Sequence, residues 1–253
     1  MKTVEDVPLP LEVHLEDLRW HLLRGLIYVM LSTGIAFSFH KELFKIVLTP
    51  ALDLLASADG HIITTRPSEA FFAHFNLALM LGIIFASPAL AAELLAFLWR
   101  ALPVWLRKGV WLIVPIIVML FCAGLAFSYF IVVPIILKFF IGFAAASEMQ
   151  SLYTIGEYIS FLTRMSLITG LSFEVPVLVV LLIAAGLVST RDLGRQRPYL
   201  VVGIFIAAAV VTPTGDPITM SLVGVPVYIL FELSLIFGRL IEHRRKAPSV
   251  EEN

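Results

Sequence analysis

Six apolar stretches, at about 20–39, 73–98, 111–136, 158–187, 199–211 and 218–238, alternate along the chain with polar connections. A helix rises about 1.5 Å per residue, so some 20 apolar residues cross the roughly 30 Å hydrocarbon core of a bilayer. Each stretch therefore predicts a membrane-spanning helix. The fifth is the exception in length: the stretch 199–211, bracketed by Pro198 and Pro213, holds 13 residues, about 20 Å of helix. A span that short thins the bilayer or leans on longer neighbours.

The connections carry patterns of their own. Between the first two stretches, His40 to Phe72 is long, and Leu43, Phe44, Val47, Leu48, Leu52 and Leu55 recur at helical spacing. That predicts a helix lying on the membrane surface as a cap. Ahead of the first stretch, Leu11, Leu15, Leu18 and Leu22 share one face while Glu12 and Glu16 share another, which predicts an amphipathic interfacial helix. In Thr212-Pro-Thr-Gly-Asp-Pro217, Pro and Gly break the helix and Asp216 is placed to bond its own following backbone. The expected organisation is an amphipathic segment at 1–19, one six-span domain at 20–239 and a polar tail at 240–253. No internal repeat is apparent, which argues against inverted-repeat transporter architectures.

Composition agrees: 59% of the 253 residues are hydrophobic, 15% are charged, and mean hydropathy is +0.95. A soluble domain of this length needs no such apolar surface. The net charge of −1 points away from nucleic acid. The lone cysteine, Cys122, forms no intrachain disulfide and is expected to pack in the bundle. The first 19 residues are polar and mostly acidic, and the apolar stretch after them shows no clear cleavage site, so the first span is expected to be retained.

Charge sets the expected topology. With the N-terminus cytoplasmic, 13 Lys and Arg fall inside: Lys2, Arg19, Arg24, Arg100, Arg107, Lys108, Arg191, Arg195, Arg197, Arg239, Arg244, Arg245 and Lys246. Four fall outside, Lys41, Lys45, Arg66 and Lys138, and Arg164 lies near the start of the fourth span. The positive-inside bias then places both termini in the cytoplasm.

Within the spans, polar residues stand where apolar ones would insert more cheaply. Glu174 is the only charged side chain from Met165 to Val188, at a depth where a charge costs roughly 2.5–3.5 kcal/mol on insertion scales. It either anchors helices near the kink that Pro176 introduces, or faces a wet cavity or polar partner. Glu232 is read the same two ways. Arg164 is placed to pair with Glu157 or to snorkel outward. Glu93 lies late in the second span, near the cytoplasmic end. The histidines are scattered, His14 and His21 lack partners at ligand spacing, and no nucleophile–base set, phosphate loop or metal cluster is visible. Neither an enzyme nor a cofactor or metal is expected. One rival reading is a proton- or ion-coupled small-solute transporter with Glu174 and Glu232 as carriers.

Seven motifs in order resemble the TatC family, the multi-span core of the twin-arginine protein translocase. They are His14-Leu-Glu-Asp-Leu-Arg19, Pro67-Ser-Glu-Ala-Phe-Phe72, Gly124-Leu-Ala-Phe-Ser-Tyr-Phe130 with Pro134, Ser172-Phe-Glu-Val-Pro176, Arg197-Pro-Tyr199, Thr212-Pro213 with Asp216-Pro217, and Pro226-Val-Tyr-Ile-Leu-Phe-Glu232. The resemblance implies an all-α membrane protein: six helices in a concave, glove-like bundle, two short final spans, both termini cytoplasmic, in the bacterial inner membrane. It implies a receptor for folded precursors whose signal peptides carry two consecutive arginines. Single-span TatA- and TatB-type subunits, the lipid bilayer and further copies of the chain are its implied partners, and the proton-motive force drives transport.

The resemblance also implies site residues. A glutamate before the Leu-Arg pair of the N-terminal motif holds the arginines in relatives; here that position is Asp17, beside Glu16 and within the motif that ends at Arg19. The family's second recognition glutamate is missing, because Pro103-Val-Trp-Leu-Arg-Lys-Gly109 contains no acid. Glu93, where relatives usually carry a glutamine, is the candidate substitute. Glu174, Glu232, Asp216 and Met220, the last where relatives carry a glutamine, are the implied intramembrane contacts for partners. Pro50, Pro67, Glu69 and Phe71 are the implied residues of the outer cap.

Overall fold

The computed structural model describes residues 11–56, 61–98, 110–146, 152–212 and 215–246. Along them run α1 (Leu11–Ser38), α2 (His40–Ala56), β1 (His61–Ile63), α3 (Glu69–Leu98), α4 (Ile113–Phe127), a π-helical turn (Ser128–Val132), α5 (Val133–Ala146) and β2 (Leu152–Thr154). Then follow α6 (Ile155–Ser172), α7 (Val175–Ala185), α8 (Thr190–Arg195), α9 (Arg197–Val211) and α10 (Pro217–Lys246). Among the described residues, five helical runs are long and apolar enough to cross a membrane: Glu16–Ser38, Glu69–Leu98, Ile113–Ala144, Ile155–Ala185 and Pro217–His243.

The fifth span in chain order is α9, only 15 residues, in agreement with the two prolines that bracket it. The last span lies in α10, which runs 30 residues and carries its apolar part on into a polar end. The amphipathic segment at the start leads directly into the first span. It is continuous with the first span in one 28-residue helix, because nothing between Leu11 and Ser38 breaks the turn. Residues 1–10, 99–109 and 247–253 lie outside the described residues.

Packing follows small residues and apolar faces. α1 lies along α3, which packs in turn on α4 and α6, while α7 and α9 pack on α10. A main core gathers Phe44, Leu77, Met80, Val132, Ile136, Ile159, Leu162 and Met165 from α2, α3, the π turn, α5 and α6. Smaller cores form around Leu95 and Ile117, and around Ile183 and Phe231. Cys122 is a correction: it faces outward, exposed, rather than into the bundle.

Proline shapes several helices by removing a backbone donor, and the freed carbonyls find other partners. Pro88 cannot bond the Ile84 carbonyl, and the Ser87 hydroxyl donates to it at 2.7 Å. Pro50 leaves the Ile46 carbonyl free in α2, and the Tyr129 hydroxyl donates to it at 2.8 Å. Tyr158 donates to the next carbonyl, Val47, at 3.1 Å. These two tyrosines tie the cap helix to the bundle. Pro134 removes the i+4 donor for Phe130, and beside it the chain widens into the π turn.

The cap end is closed by backbone pairing that periodicity did not reveal. β1 pairs with β2 in parallel, His61 opposite Leu152 and Ile63 opposite Thr154. Glu69 binds the same corner: its carboxylate accepts from Thr65 N (2.8 Å), Thr65 Oγ1 (2.9 Å) and Gly156 N (2.9 Å). The last of these lies in the first turn of α6, where a helix dipole favours an anion.

Candidate functional site

α1 and α3 run antiparallel, and at the end away from the cap they hold a polar cluster. His21, Arg24 and Tyr28 lie at i, i+3 and i+7 on one face of α1, and all three reach Glu93 of α3. His21 Nδ1 bonds one carboxylate oxygen, the Tyr28 hydroxyl donates to the other at 3.3 Å, and Arg24 stands 4.0 Å away. A cleft of about 350 Å³ opens beside them, lined by Leu18, His21, Leu22, Leu26, Glu93 and Phe97. Asp17 lies one turn before His21 on the same face, about 6 Å further along the axis. It is half-buried, whereas Glu16 and Arg19 are exposed. Glu93 thus lines the cleft, while Asp17 stands one turn beyond its lining residue His21. The partners of Glu93 escaped the sequence because His21 lies 72 residues away from it.

Glu174 sits where the fourth span breaks. Pro176 removes the donor for the Ser172 carbonyl, α6 ends at Ser172, and α7 restarts at Val175 with Glu174 as its capping residue. The surroundings are tightly packed. A Cβ placed on Gly124 of α4 would come 2.8 Å from the Gly170 Cα and 2.9 Å from the Phe173 ring. Oε1 of Glu174 is buried with no hydrogen-bond partner, as are the nearby hydroxyl of Thr169 and, on α1, that of Thr33. An orphaned buried acceptor is costly unless something polar reaches it.

Glu232 is not a companion of Glu174. Arg197, at the start of α9, donates to it at 2.7 Å, and Tyr228 donates at 2.9 Å. The sequence marked Arg197 as an inside charge and as part of the Arg197-Pro-Tyr199 motif, but did not pair it with Glu232. The start of the neighbouring α8 is clamped as well, with the Thr190 hydroxyl donating to Glu242 of α10 at 2.6 Å. We expect a double-mutant cycle on Arg197→Ala and Glu232→Gln, read as melting temperature in detergent, to give a coupling of about 0.5–1 kcal/mol. A coupling of zero would mean that this pair contributes nothing to holding α9 on α10.

At the other end of α10, Asp216 caps the helix, its Oδ1 accepting from Ile218 N and Thr219 N at 3.0 Å each. Met220 turns inward and packs against the main core. At the cap, Pro67 lies in an exposed turn and Phe71 is exposed beside Phe72, the two rings edge to face at 5.6 Å. Pro50 lies within α2. Among the described residues no group of three or more His, Cys, Asp or Glu could hold a metal ion.

The family model described as TatC, Sec-independent protein translocase protein, matches residues 13–226. The Sec-independent protein translocase protein TatC of Escherichia coli (strain K12) is 34% identical over 240 residues, covering 94% of this chain and 90% of its own. Its counterpart in Aquifex aeolicus (strain VF5) is 31% identical over 242 residues, covering 94% and 98%. A solved structure described as the crystal structure of the twin arginine translocase receptor TatC superposes with a TM-score of 0.80 at 31% identity, over 90% of this chain and 99% of that one.

Proposed function

The chain belongs to the TatC family of Sec-independent protein translocase proteins, and from that premise we propose that it is the core receptor subunit of a twin-arginine translocase. The observation that carries the reading is the near full-length match, in sequence and fold, to a twin arginine translocase receptor. In this reading the chain lies in the bacterial inner membrane with both termini cytoplasmic, performs no catalysis, and assembles with TatA- and TatB-type single-span subunits and with further copies of itself. The proton-motive force drives transport. The solute-transporter alternative loses its main support, because Glu232 is held by Arg197 rather than free to carry an ion.

The signal peptide's two guanidinium groups require carboxylates with room for forked hydrogen bonds in a partly desolvated setting. In this reading Glu93 in the α1/α3 cleft takes one arginine and Asp17, one turn beyond His21 on α1, takes the other, with apolar walls from Leu18, Leu22 and Phe97 for the residues that flank the arginines. His21 and Tyr28 hold the Glu93 carboxylate in place meanwhile. Glu16 and Arg19 complete the charged rim.

Export of a folded reporter bearing a twin-arginine signal tests the role, in a strain lacking its own TatC and supplied with partner subunits from the same source. Export is expected; its absence would count against the receptor role. For the site, Asp17→Ala is expected to weaken binding of a twin-arginine peptide roughly tenfold, the effect of one charge-assisted hydrogen bond, while Asp17→Glu preserves it. Equal affinities for wild type and Asp17→Ala would remove Asp17 from the site.

A further inference from the structure

A second cleft, of about 340 Å³, lies at the cap end between α5 and α6, on the opposite side of the fold's length from the Glu93 cluster. Its walls are Leu137 and Phe140 of α5 and Phe161 of α6. Its polar lining is Glu157, Ser160 and Arg164, with Tyr153 of β2 above. Glu157, Ser160 and Arg164 stand at i, i+3 and i+7, so they form one stripe down one face of α6.

Arg164 lies about 13 Å along the helix axis from Ile155, within a run apolar enough to span the membrane. It is exposed, as is Glu157, and neither side chain has an ion-pair partner among the described residues, not even in the other. A guanidinium at that depth is expensive unless it meets an anion or reaches the interface. Helical side chains lean toward the helix N-terminus, and here the N-terminus is the cap end. Arg164 therefore leans toward the level of Ser160, which leaves a cation below and a carboxylate above, separated by a hydroxyl and flanked by aromatic walls.

The geometry points to a site for a zwitterionic phospholipid with a primary-ammonium headgroup, of the phosphatidylethanolamine class. The phosphate takes forked hydrogen bonds from Arg164 and a hydrogen bond from the Ser160 hydroxyl. The ammonium, which lies further from the bilayer centre, meets the Glu157 carboxylate. The glycerol and upper acyl carbons rest against Leu137, Phe140 and Phe161. The order of charges selects this headgroup: an anionic lipid without an ammonium satisfies Arg164 but places its polar end beside Glu157 with nothing to offer it. The site is independent of the receptor reading, since no part of it touches the α1/α3 cleft.

The test is native mass spectrometry of the full chain, released from detergent micelles containing equal amounts of dioleoyl-phosphatidylethanolamine and dioleoyl-phosphatidylglycerol. Wild type is expected to retain the ethanolamine lipid at least fivefold over the glycerol lipid. Arg164→Gln is expected to lose retention of both, and Glu157→Gln to lose the preference while keeping binding. Melting temperatures in lipid-free detergent, expected to match wild type, show that these surface changes leave the fold intact. Undiminished ethanolamine-lipid retention in Arg164→Gln would overturn the proposal. So would retention by wild type without preference, or a preference that survives Glu157→Gln.

Discussion

Gly82→Ala is expected to lower the stability of the protein by about 1–3 kcal/mol, the usual cost of forcing a methyl group into a closed contact, and Gly82→Leu to leave little folded protein in the membrane. A Cβ at this position would stand 2.1 Å from Thr33 Oγ1 and 2.8 Å from both the Thr33 Cα and backbone nitrogen. The hydroxyl could rotate away, but the backbone atoms could not, so the methyl group separates α1 from α3. Lipid provides no hydrophobic pressure to close the gap, since helices in a bilayer associate through close packing of small residues. Thr33→Ala in the Gly82→Ala background is therefore expected to recover only part of the loss. Gly142→Ala is the control: nothing lies within 4 Å of its Cβ, and stability there should hold or rise slightly. Thermal unfolding in detergent reads all four variants, and an unchanged midpoint for Gly82→Ala would refute the packing argument. The same helix pair carries Glu93 and its α1 partners, so the variant should also weaken peptide binding without touching a charged group.

The second large effect is expected at Glu174. Glu174→Ala should accumulate and fold yet export a folded twin-arginine reporter roughly tenfold less well, the consequence of losing one charge-assisted or buried hydrogen bond to a partner. The physical basis is the break between Ser172 and Val175, which leaves a carboxylate oxygen buried and unpartnered in an apolar bundle. A group in that state is available to an incoming donor from a partner helix or a passing signal peptide. Glu174→Gln keeps an acceptor and shape, and is expected to retain much of the activity. Should glutamine prove as inactive as alanine in the export assay, an ionised or proton-exchanging carboxylate becomes the required account.

The spans were readable because hydropathy over 20 residues is a strong signal, and Pro198 with Pro213 marked the short helix in the sequence itself. The inward face of α2 was readable too: Phe44 and Val47 are buried and Leu43 and Leu48 partly so, as their spacing required. Asp216 behaves as its place before a proline suggested. What stayed hidden depends on partners far apart in the chain. Two three-residue strands leave no periodicity to detect, and the Arg197–Glu232 pair links residues 35 apart. Cys122 shows a different failure, since in a membrane both faces of a helix are apolar and hydropathy does not tell lipid from core. The cleft was half legible: Glu93 stood out as an acid, but its tie to His21 and Tyr28 emerges only when α1 meets α3.

The parallel pairing of β1 with β2 has a consequence for how the chain is made. The strands are separated by 91 positions, from His61 to Leu152, and between them lie two complete spans. A contact of such long sequence separation forms late, after the loop it closes has been laid down. α1 and α3 can dock as soon as the second span emerges, whereas the cap cannot shut until the third has crossed and turned back. The small sheet thus acts as a clasp fastened late in membrane insertion, and exposure of a protease site near Ile62 would report, during synthesis, how far the chain has been assembled.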